Sequence, residues 1–261
     1  MIQLLEMIEV AKRAAIEAGD VALHFQGSVA EILEKGQDPT NISTEADIKS
    51  EKAILSLLRK KFPKHSFFSE EEGKKTGQAE YVWVIDPIDG SIPYSAGLPL
   101  YGISIGLLKN NKPLLGVINL PSLNKLYWAV KGKGAYLNGR KIVVSKQSNF
   151  SRSIVGFDFA YAKYRKNETK NLLLPLVSKV RYPPILASTS VALCFVAEGI
   201  YDAYLHTAHL WDYVAGAAIV QEAGGKVTDY IGDPIDWNQE WIEVIVSNGL
   251  IHQQILKTIK T

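Results

Sequence analysis

The chain has 261 residues, 47% hydrophobic and 21% charged, with a formal net charge of +2. That is ordinary globular composition, with room for one large domain or two lobes. So small a charge excess makes no demand for nucleic acid, no apolar run approaches the ~18 residues of a membrane span, and the single cysteine permits no intrachain disulfide. A reducing, cytoplasmic setting fits. The N-terminus carries Glu6 and Glu9 inside its apolar pattern and lacks a signal-peptide layout. The densest basic stretch, Lys131, Lys133, Arg140, Lys141 and Lys146, reads as a solvated hairpin face.

Leu4, Ile8, Ala11, Ala15, Ala18, Ala22 and Phe25 recur at three- and four-residue spacing. They form one apolar stripe on a long first helix, whose alanines suit close packing. Gly36 to Thr40 reads as a loop with Lys35 at its edge. A second helix is predicted from near Thr44 to about Phe62, stopped by Pro63, with Ile48, Leu55, Leu58 and Phe62 on its buried side. A short strand, Ser66 to Ser69, leads into Glu70-Glu71-Glu72-Gly73, and Lys74 to Glu80 is a polar loop. Tyr81 to Ile85 reads as a buried strand that ends in the turn steps Asp86-Pro87 and Asp89-Gly90. From Tyr101 to Val144, strand-like runs alternate with turn signals at Asn110-Asn111, Pro121-Ser122, Gly132/Gly134 and Asn138-Gly139, the pattern of an antiparallel meander.

After Ser145 strands and helices alternate. The pattern predicts a strand over Ser153–Phe157, a helix over about Glu168–Lys179, a short strand over about Arg181–Ala187 and a helix over Thr189–Glu198. A strand over Asp202–Leu205, a helix over Trp211–Ala223 closed by Gly224-Gly225, strands near Val227 and over Glu243–Ser247, and a helix from Leu250 follow. Cys194, in the apolar run Val191–Val196, reads as core. The predicted class is α+β, an antiparallel-sheet lobe (1–145) followed by an α/β lobe (146–261). The lobes share a wide interface, where clefts are favoured.

Four acidic stations could act together: Asp47 on the second helix, Glu70 after a strand, Asp86 with Asp89, and Asp212 at a helix start. Each has a plainer reading. Thr44-Glu45-Ala46-Asp47 resembles a capping box, Glu70 sits in a polar triplet, and Asp212 can complement a helix dipole. Asp86 and Asp89 stand where turns use Asp anyway. Convergent carboxylates with a flexible Gly and a hydroxyl suit a hard divalent cation such as Mg²⁺.

Asp86-Pro87-Ile88-Asp89-Gly90-Ser91 resembles the Asp-Pro-Ile-Asp-Gly-Thr pattern of the inositol monophosphatase family, within the lithium-sensitive, Mg²⁺-dependent phosphatase superfamily. The family's second signature is matched by Trp211-Asp212-Tyr213-Val214-Ala215-Gly216 and Glu222-Ala223-Gly224-Gly225, and Glu70-Glu71 and Thr44 to Asp47 fall in family order. The resemblance implies a layered αβαβα sandwich and a homodimer, and the charge and hydropathy read above call for no nucleic acid or membrane partner. It implies two to three Mg²⁺ ions, the first held by Glu70, Asp86 and the Ile88 carbonyl, the second by Asp86, Asp89 and Asp212, and a weak third reached from Glu70 through water. Glu70, Asp47 and Ser91 would be catalytic, the last two orienting or deprotonating the attacking water. Asp89, Gly90, Ser91 and Asp212 would border the substrate, with Lys35 near its phosphate; outside the resemblance, Arg181 is a further candidate for a second phosphate. Metal-activated water would then hydrolyse a small polyol or sugar phosphate, and the match is to the bifunctional inositol monophosphatase/fructose-1,6-bisphosphatase type. Histidinol phosphate and 3′-phosphoadenosine 5′-phosphate are the alternatives, and a non-catalytic metal or phosphate scaffold is a third.

The chain departs from the pattern around the substrate. Ser91 replaces Thr, Ile92-Pro93-Tyr94 replaces the usual x-Asn-Phe, and Ala187-Ser188-Thr189-Ser190 replaces Gly-Ser-Ala-Ala. No acid in Leu205–Leu210 matches the one that contacts inositol hydroxyls. His206 and His209, three apart and followed by Asp212, admit a zinc reading on one helical face, though hard-oxygen Mg²⁺ chemistry accounts better for Asp212. Tyr161, Lys163, Tyr164, Arg165 and Lys166 form a basic, aromatic loop, either a solvated connection or a contact for a second phosphate.

Overall fold

The computed structural model describes residues 2–27, 32–35, 38–39, 41–73 and 79–259. The loops expected at 36–40 and 74–80 therefore lie partly outside the described residues. In chain order the elements begin with α1 (Ile2–Phe25), β1 (Ile32–Glu34), β2 (Ile42–Thr44), α2 (Glu45–Lys61), β3 (Ser66–Ser69), β4 (Tyr81–Asp89) and α3 (Ser91–Ser95). The meander follows as β5 (Gly102–Lys109), β6 (Lys112–Leu120), β7 (Lys125–Val130), β8 (Gly134–Leu137) and β9 (Arg140–Ile142). Then come β10 (Val155–Phe157), α4 (Arg165–Glu168), α5 (Leu174–Val177), α6 (Thr189–Ala197), β11 (Ala203–His209), α7 (Leu210–Glu222), β12 (Lys226–Thr228), β13 (Trp241–Ser247) and α8 (His252–Leu256).

These elements stack as an αβαβα sandwich. β3 to β9 form a seven-stranded sheet in sequence order, antiparallel except for the parallel β3–β4 pair. A four-stranded sheet has the order β10-β11-β13-β12. The strand period of two sends alternate side chains to opposite layers. Trp83, Ile85, Ile105 and Val117 face the alanine stripe of α1 together with Ile54 and Leu58 of α2. Val84, Ile118 and Leu120 face α6 and α7, which pack in turn on Tyr204, Val244 and Val246 of the second sheet. Val155, Leu205 and Ile245 close on Leu172, Leu176, Ile251 and Ile255 outside it. Each fully buried Leu or Ile contributes roughly 1.5–3 kcal/mol relative to exposure. The middle cluster draws residues from both sides of position 146, and Cys194 is buried within it.

Turn chemistry fixes the meander. Asn110 and Asn111 (φ +48° and +56°) and Asn138 with Gly139 (+48° and +80°) take the positive φ of tight hairpin turns. Gly106 and Gly116 face each other across β5 and β6. A Cβ on Gly106 would lie 2.8 Å from the Ala215 amide nitrogen, and one on Gly116 would lie 2.1 Å from the Ala215 carbonyl oxygen. The two glycines thus form a saddle on which the main chain of α7 rests.

Several elements differ from expectation. β4 continues through Asp89, with a register shift between Asp86 and Asp89, where a turn was predicted. The shift is a bulge that re-aims the two carboxylates. Ile48 is 47% exposed and Ile54 is buried, because the inner face of α2 runs through Asp47, Ser50 and Glu51. The strand predicted at Arg181–Ala187 is reduced to one bridge between Ile154 and Tyr182, since Pro183 and Pro184 have no N–H to donate. The helix predicted from Glu168 begins at Arg165 and is π-helical over Thr169–Leu173. Pro175 cannot donate to the Asn171 carbonyl, which disrupts the α-helical ladder there. β11 runs to His209, so His206 and His209 lie on a strand and not on a helical face.

Candidate active site

The bulge of β4, the first turn of α2, the loop after β3 and the first turn of α7 meet at one end of the large sheet. Ligand-capable oxygens of Asp86, Asp89 and Asp212 all lie within 4.8 Å of one another. Asp86 and Asp89 are 1% and 6% exposed, too little for water to screen their charges. Burial pushes the carboxyls of Asp86 and Asp212 well above the ordinary range. Neighbouring charge adds to this, chiefly from Glu70 at Asp86 and from Asp89 at Asp212. Burial also raises Asp89, while hydrogen bonds from Ser188, Ser190 and Thr189 offset part of the effect. Glu70 rises to about 7, mainly by burial and against the pull of Lys35. Buried carboxylates at this spacing, with oxygen as the donor, suit a hard divalent cation.

Main-chain and hydroxyl donors fix each carboxylate. The Ile88 amide donates to Asp86 Oδ1 at 3.1 Å, and the His209 amide donates to Asp212 Oδ2 at 2.8 Å. The Ser188 hydroxyl and the Ser190 amide donate to Asp89 Oδ2 at 2.5 and 2.7 Å, and the Thr189 amide to Oδ1 at 3.2 Å. Lys35 Nζ lies 3.0 Å from Glu70 Oε1 and 2.5 Å from Glu71 Oε1. Burial works against the Lys35 charge, but the two glutamates outweigh it and raise its pKa.

Asp47 is both a helix cap and a member of the site. Its Oδ2 accepts the Thr44 amide at 2.8 Å and the Thr44 hydroxyl at 2.6 Å. Its Oδ1 lies 3.5 Å from the Ser91 hydroxyl, which donates at 3.1 Å to the Ile88 carbonyl. Burial, partly countered by the Thr44 bonds, brings Asp47 up to about 6. Gly90 has φ +88°, and a Cβ there would lie 2.8 Å from the Leu100 carbonyl oxygen. Pro93 falls in the first turn of α3, where a missing N–H leaves no helical bond unmade.

The carboxylates open into a cleft of about 400 Å³. Its lining includes Asp158, Tyr161, Arg165, His206, His209 and Trp241. Tyr161 stacks on Trp241 with ring centroids 5.2 Å apart, and its hydroxyl meets His209 Nε2 at 3.0 Å. Burial lowers both His206 and His209 to about 4, so this wall is neutral near pH 7. Arg165 Nε is buried with no hydrogen-bond partner. Arg181 is exposed and does not line the cleft. A larger groove of about 660 Å³ runs past Asn110–Leu114 and Pro234–Asn238. Glu222 in that groove is already engaged by the Gly132 and Gly134 amides.

Sequence reading missed the parts whose chemistry is ordinary outside its context. Glu51 is buried and accepts the Glu71 and Glu72 amides at 2.8 and 2.7 Å, which fixes the Glu70 loop. The signal was an acid one helical turn after Asp47 on the same face. Asp158 and Trp241 belong to runs that read only as strand ends.

The family model described as the inositol monophosphatase family matches residues 3–261. A fructose-1,6-bisphosphatase/inositol-1-monophosphatase of Aquifex aeolicus is 35% identical, covering 100% of this chain and 97% of that protein. The solved inositol monophosphatase of Anabaena superposes with a TM-score of 0.86 at 32% identity, over 98% of this chain and 96% of that one. An IMPase/NADP phosphatase solved with Mg²⁺ and phosphate, 21% identical, shares the fold at a TM-score of 0.86 over 98% of this chain and 95% of its own.

Proposed function

The chain belongs to the inositol monophosphatase family and is a phosphatase, and on that premise we propose that it hydrolyses small polyol and sugar phosphates, inositol-1-phosphate and fructose-1,6-bisphosphate among them. The convergence of Asp86, Asp89 and Asp212 beside Glu70 carries this reading. Two to three Mg²⁺ ions, held by Glu70, Asp86, the Ile88 carbonyl, Asp89 and Asp212, would neutralise the cluster and supply Lewis acidity toward phosphoryl oxygen and water.

The chain's own groups do the rest. First-turn amides of α3 have no intrahelical acceptor, so the Gly90–Ser91 segment offers donors to phosphate oxygens. Ser91 Oγ, between the attacking water and Asp47, passes the water's proton to Asp47 Oδ1. A carboxyl near 6 can hold that proton and release it at neutral pH. Lys35 holds Glu70 in place and pulls it toward its ionised form, against the larger effect of burial. The neutral wall of Tyr161, His209 and Trp241 excludes water from one side of the cleft.

The buried, unpartnered Nε of Arg165 favours a substrate with a second anionic group, as fructose-1,6-bisphosphate has. Of the two candidates the sequence offered for a second phosphate, the Tyr161–Lys166 loop and Arg181, the cleft favours the loop through Arg165. The reading also carries a cytoplasmic homodimer, supported by the exposed apolar residues Leu174, Val177, Tyr182 and Ile185. A monomer by light scattering would remove that element. The deciding assay is phosphate release from both substrates with Mg²⁺ or EDTA, on the unaltered protein and on Arg165→Ala. EDTA should abolish both activities. Arg165→Ala should raise KM about tenfold or more for the bisphosphate and leave inositol-1-phosphate within twofold. Turnover of neither substrate by the unaltered protein refutes the substrate assignment.

A further inference from the structure

Behind Asp89 stands a second carboxylate that the chemistry above does not use. Asp158 is 3% exposed. Its Oδ1 accepts the Leu186 and Ala187 amides at 2.9 and 2.8 Å, and its Oδ2 accepts the Tyr204 hydroxyl at 2.9 Å. The Tyr204 hydroxyl lies 3.2 Å from Thr189 Oγ1, which lies 3.0 Å from His206 Nδ1. Ala187 is in the left-handed region at φ +58°. A residue with a Cβ adopts that conformation only where its surroundings hold it. The two amides gripped by Asp158 are those of Ala187 itself and the residue before it.

The chain leaves this turn directly into Ser188, the N-cap of α6. Ser188, Thr189 and Ser190 are the three donors to Asp89. Two routes therefore run from Asp158 to the same cradle, one along the main chain through Ala187 and one through the Tyr204 hydroxyl to Thr189. The cradle is uneven. Asp89 Oδ2 receives its two short bonds, and Oδ1 receives one of 3.2 Å. The carboxylate is thus turned so that Oδ1 keeps the freer lone pair.

We propose that Asp158 is a positioning residue for cation binding. By fixing the Ala187 turn and Tyr204, it sets the Ser188–Ser190 donors so that Asp89 presents one oxygen to the cation. This rests on the metal site proposed above. Asp158 also lines the cleft, but its three hydrogen bonds all come from protein donors, which places its action on Asp89. Partners of this kind, one step behind a ligand, change metal affinity by about 10–100-fold when removed.

The test is calorimetric titration of Mg²⁺ alone into the unaltered protein and into Asp158→Asn, Asp158→Ala and Tyr204→Phe. Asp158→Ala should weaken Mg²⁺ binding about tenfold or more. Asp158→Asn keeps an acceptor for the two amides and should fall less, as should Tyr204→Phe, which cuts only the second route. Melting of the metal-free proteins reports the fold separately. Should Asp158→Ala fail to fold, Asp158→Asn and Tyr204→Phe decide by the same criterion. A lowered melting temperature with Mg²⁺ affinity within twofold of the unaltered protein overturns the proposal, since the role is then in folding alone. A raised KM for substrate at saturating Mg²⁺, with Mg²⁺ affinity unchanged, overturns it in favour of a substrate contact. If the unaltered protein binds no Mg²⁺, the metal site falls and this inference falls with it.

Discussion

Stripping divalent cations should leave a protein whose stability falls as pH rises. Glu70 has an ordinary value of 4.5 and is held near 7 in the fold, chiefly by burial. Between those values the folded chain keeps a proton that the unfolded chain has released. The stability tied to that proton is complete below pH 4.5 and is lost as pH rises through 7. A displacement of about 2.5, at ~1.36 kcal/mol for each, corresponds to about 3 kcal/mol. Asp86 and Asp212 are displaced in the same direction and reinforce it. A cation that binds the ionised cluster opposes the trend. At a hundredfold its Kd it adds about 2.7 kcal/mol, or roughly 5–10 °C in Tm for a chain of this size. Scanning calorimetry at pH 5 and pH 8, with EDTA and with Mg²⁺, checks this. The EDTA-treated protein should melt lower at pH 8 than at pH 5, and Mg²⁺ should raise Tm more at pH 8. Equal Tm at both pH values in EDTA, with an equal Mg²⁺ increment at each, would refute the reasoning.

Four substitutions probe the rest of the site. Asp89→Asn should cut kcat by about a hundredfold or more, read as phosphate release at saturating Mg²⁺, and full activity would remove Asp89 from the metal set. Ser91→Ala should lower kcat by roughly 10²–10⁴ with KM nearly constant, whereas a change confined to KM would make the hydroxyl a binding group only. Gly90→Ala combines a positive φ with a Cβ 2.8 Å from the Leu100 carbonyl. It should cost about 1–3 kcal/mol in urea unfolding and most of the turnover. Ala187→Gly relieves a left-handed residue worth about 1–2 kcal/mol at an unfolded-state cost of about 0.5–1 kcal/mol. The net should be a gain of about 0.5–1 kcal/mol in urea unfolding, and a loss of stability would contradict the strain read at Ala187.

The layered fold was legible where one physical rule dominated. The alanine stripe of α1, the Asn-rich hairpin turns and the Gly-closed α7 each follow a local pattern that the tertiary structure leaves intact. The carboxylate cluster was legible through resemblance, because Asp86, Asp89 and Asp212 sit in long motifs. Reading failed where a polar residue faces inward. Asp47, Ser50 and Glu51 occupy the inner face of α2 and so shifted its apparent apolar side to Ile48. It failed again where proline acts on main-chain donors without leaving a periodic trace, at Pro175 and Pro183-Pro184. The cleft wall was least legible, since Tyr161, His209 and Trp241 come from separate elements and meet only through packing.

The saddle of Gly106 and Gly116 bears on which ions the site can tell apart. Asp212 reaches the cluster from α7, and three residues further along, at Ala215, the α7 main chain lies directly against Gly106 and Gly116 with no side chain of those two positions between. That close non-bonded contact helps set how near Asp212 stands to the β4 carboxylates. Mg²⁺ and Ca²⁺ differ by only a few tenths of an ångström in preferred oxygen distance, roughly 2.0–2.1 against 2.3–2.6 Å. At the metal site proposed above, a frame held this closely would favour the smaller ion. Glycines remote from that site would then take part in its choice of ion.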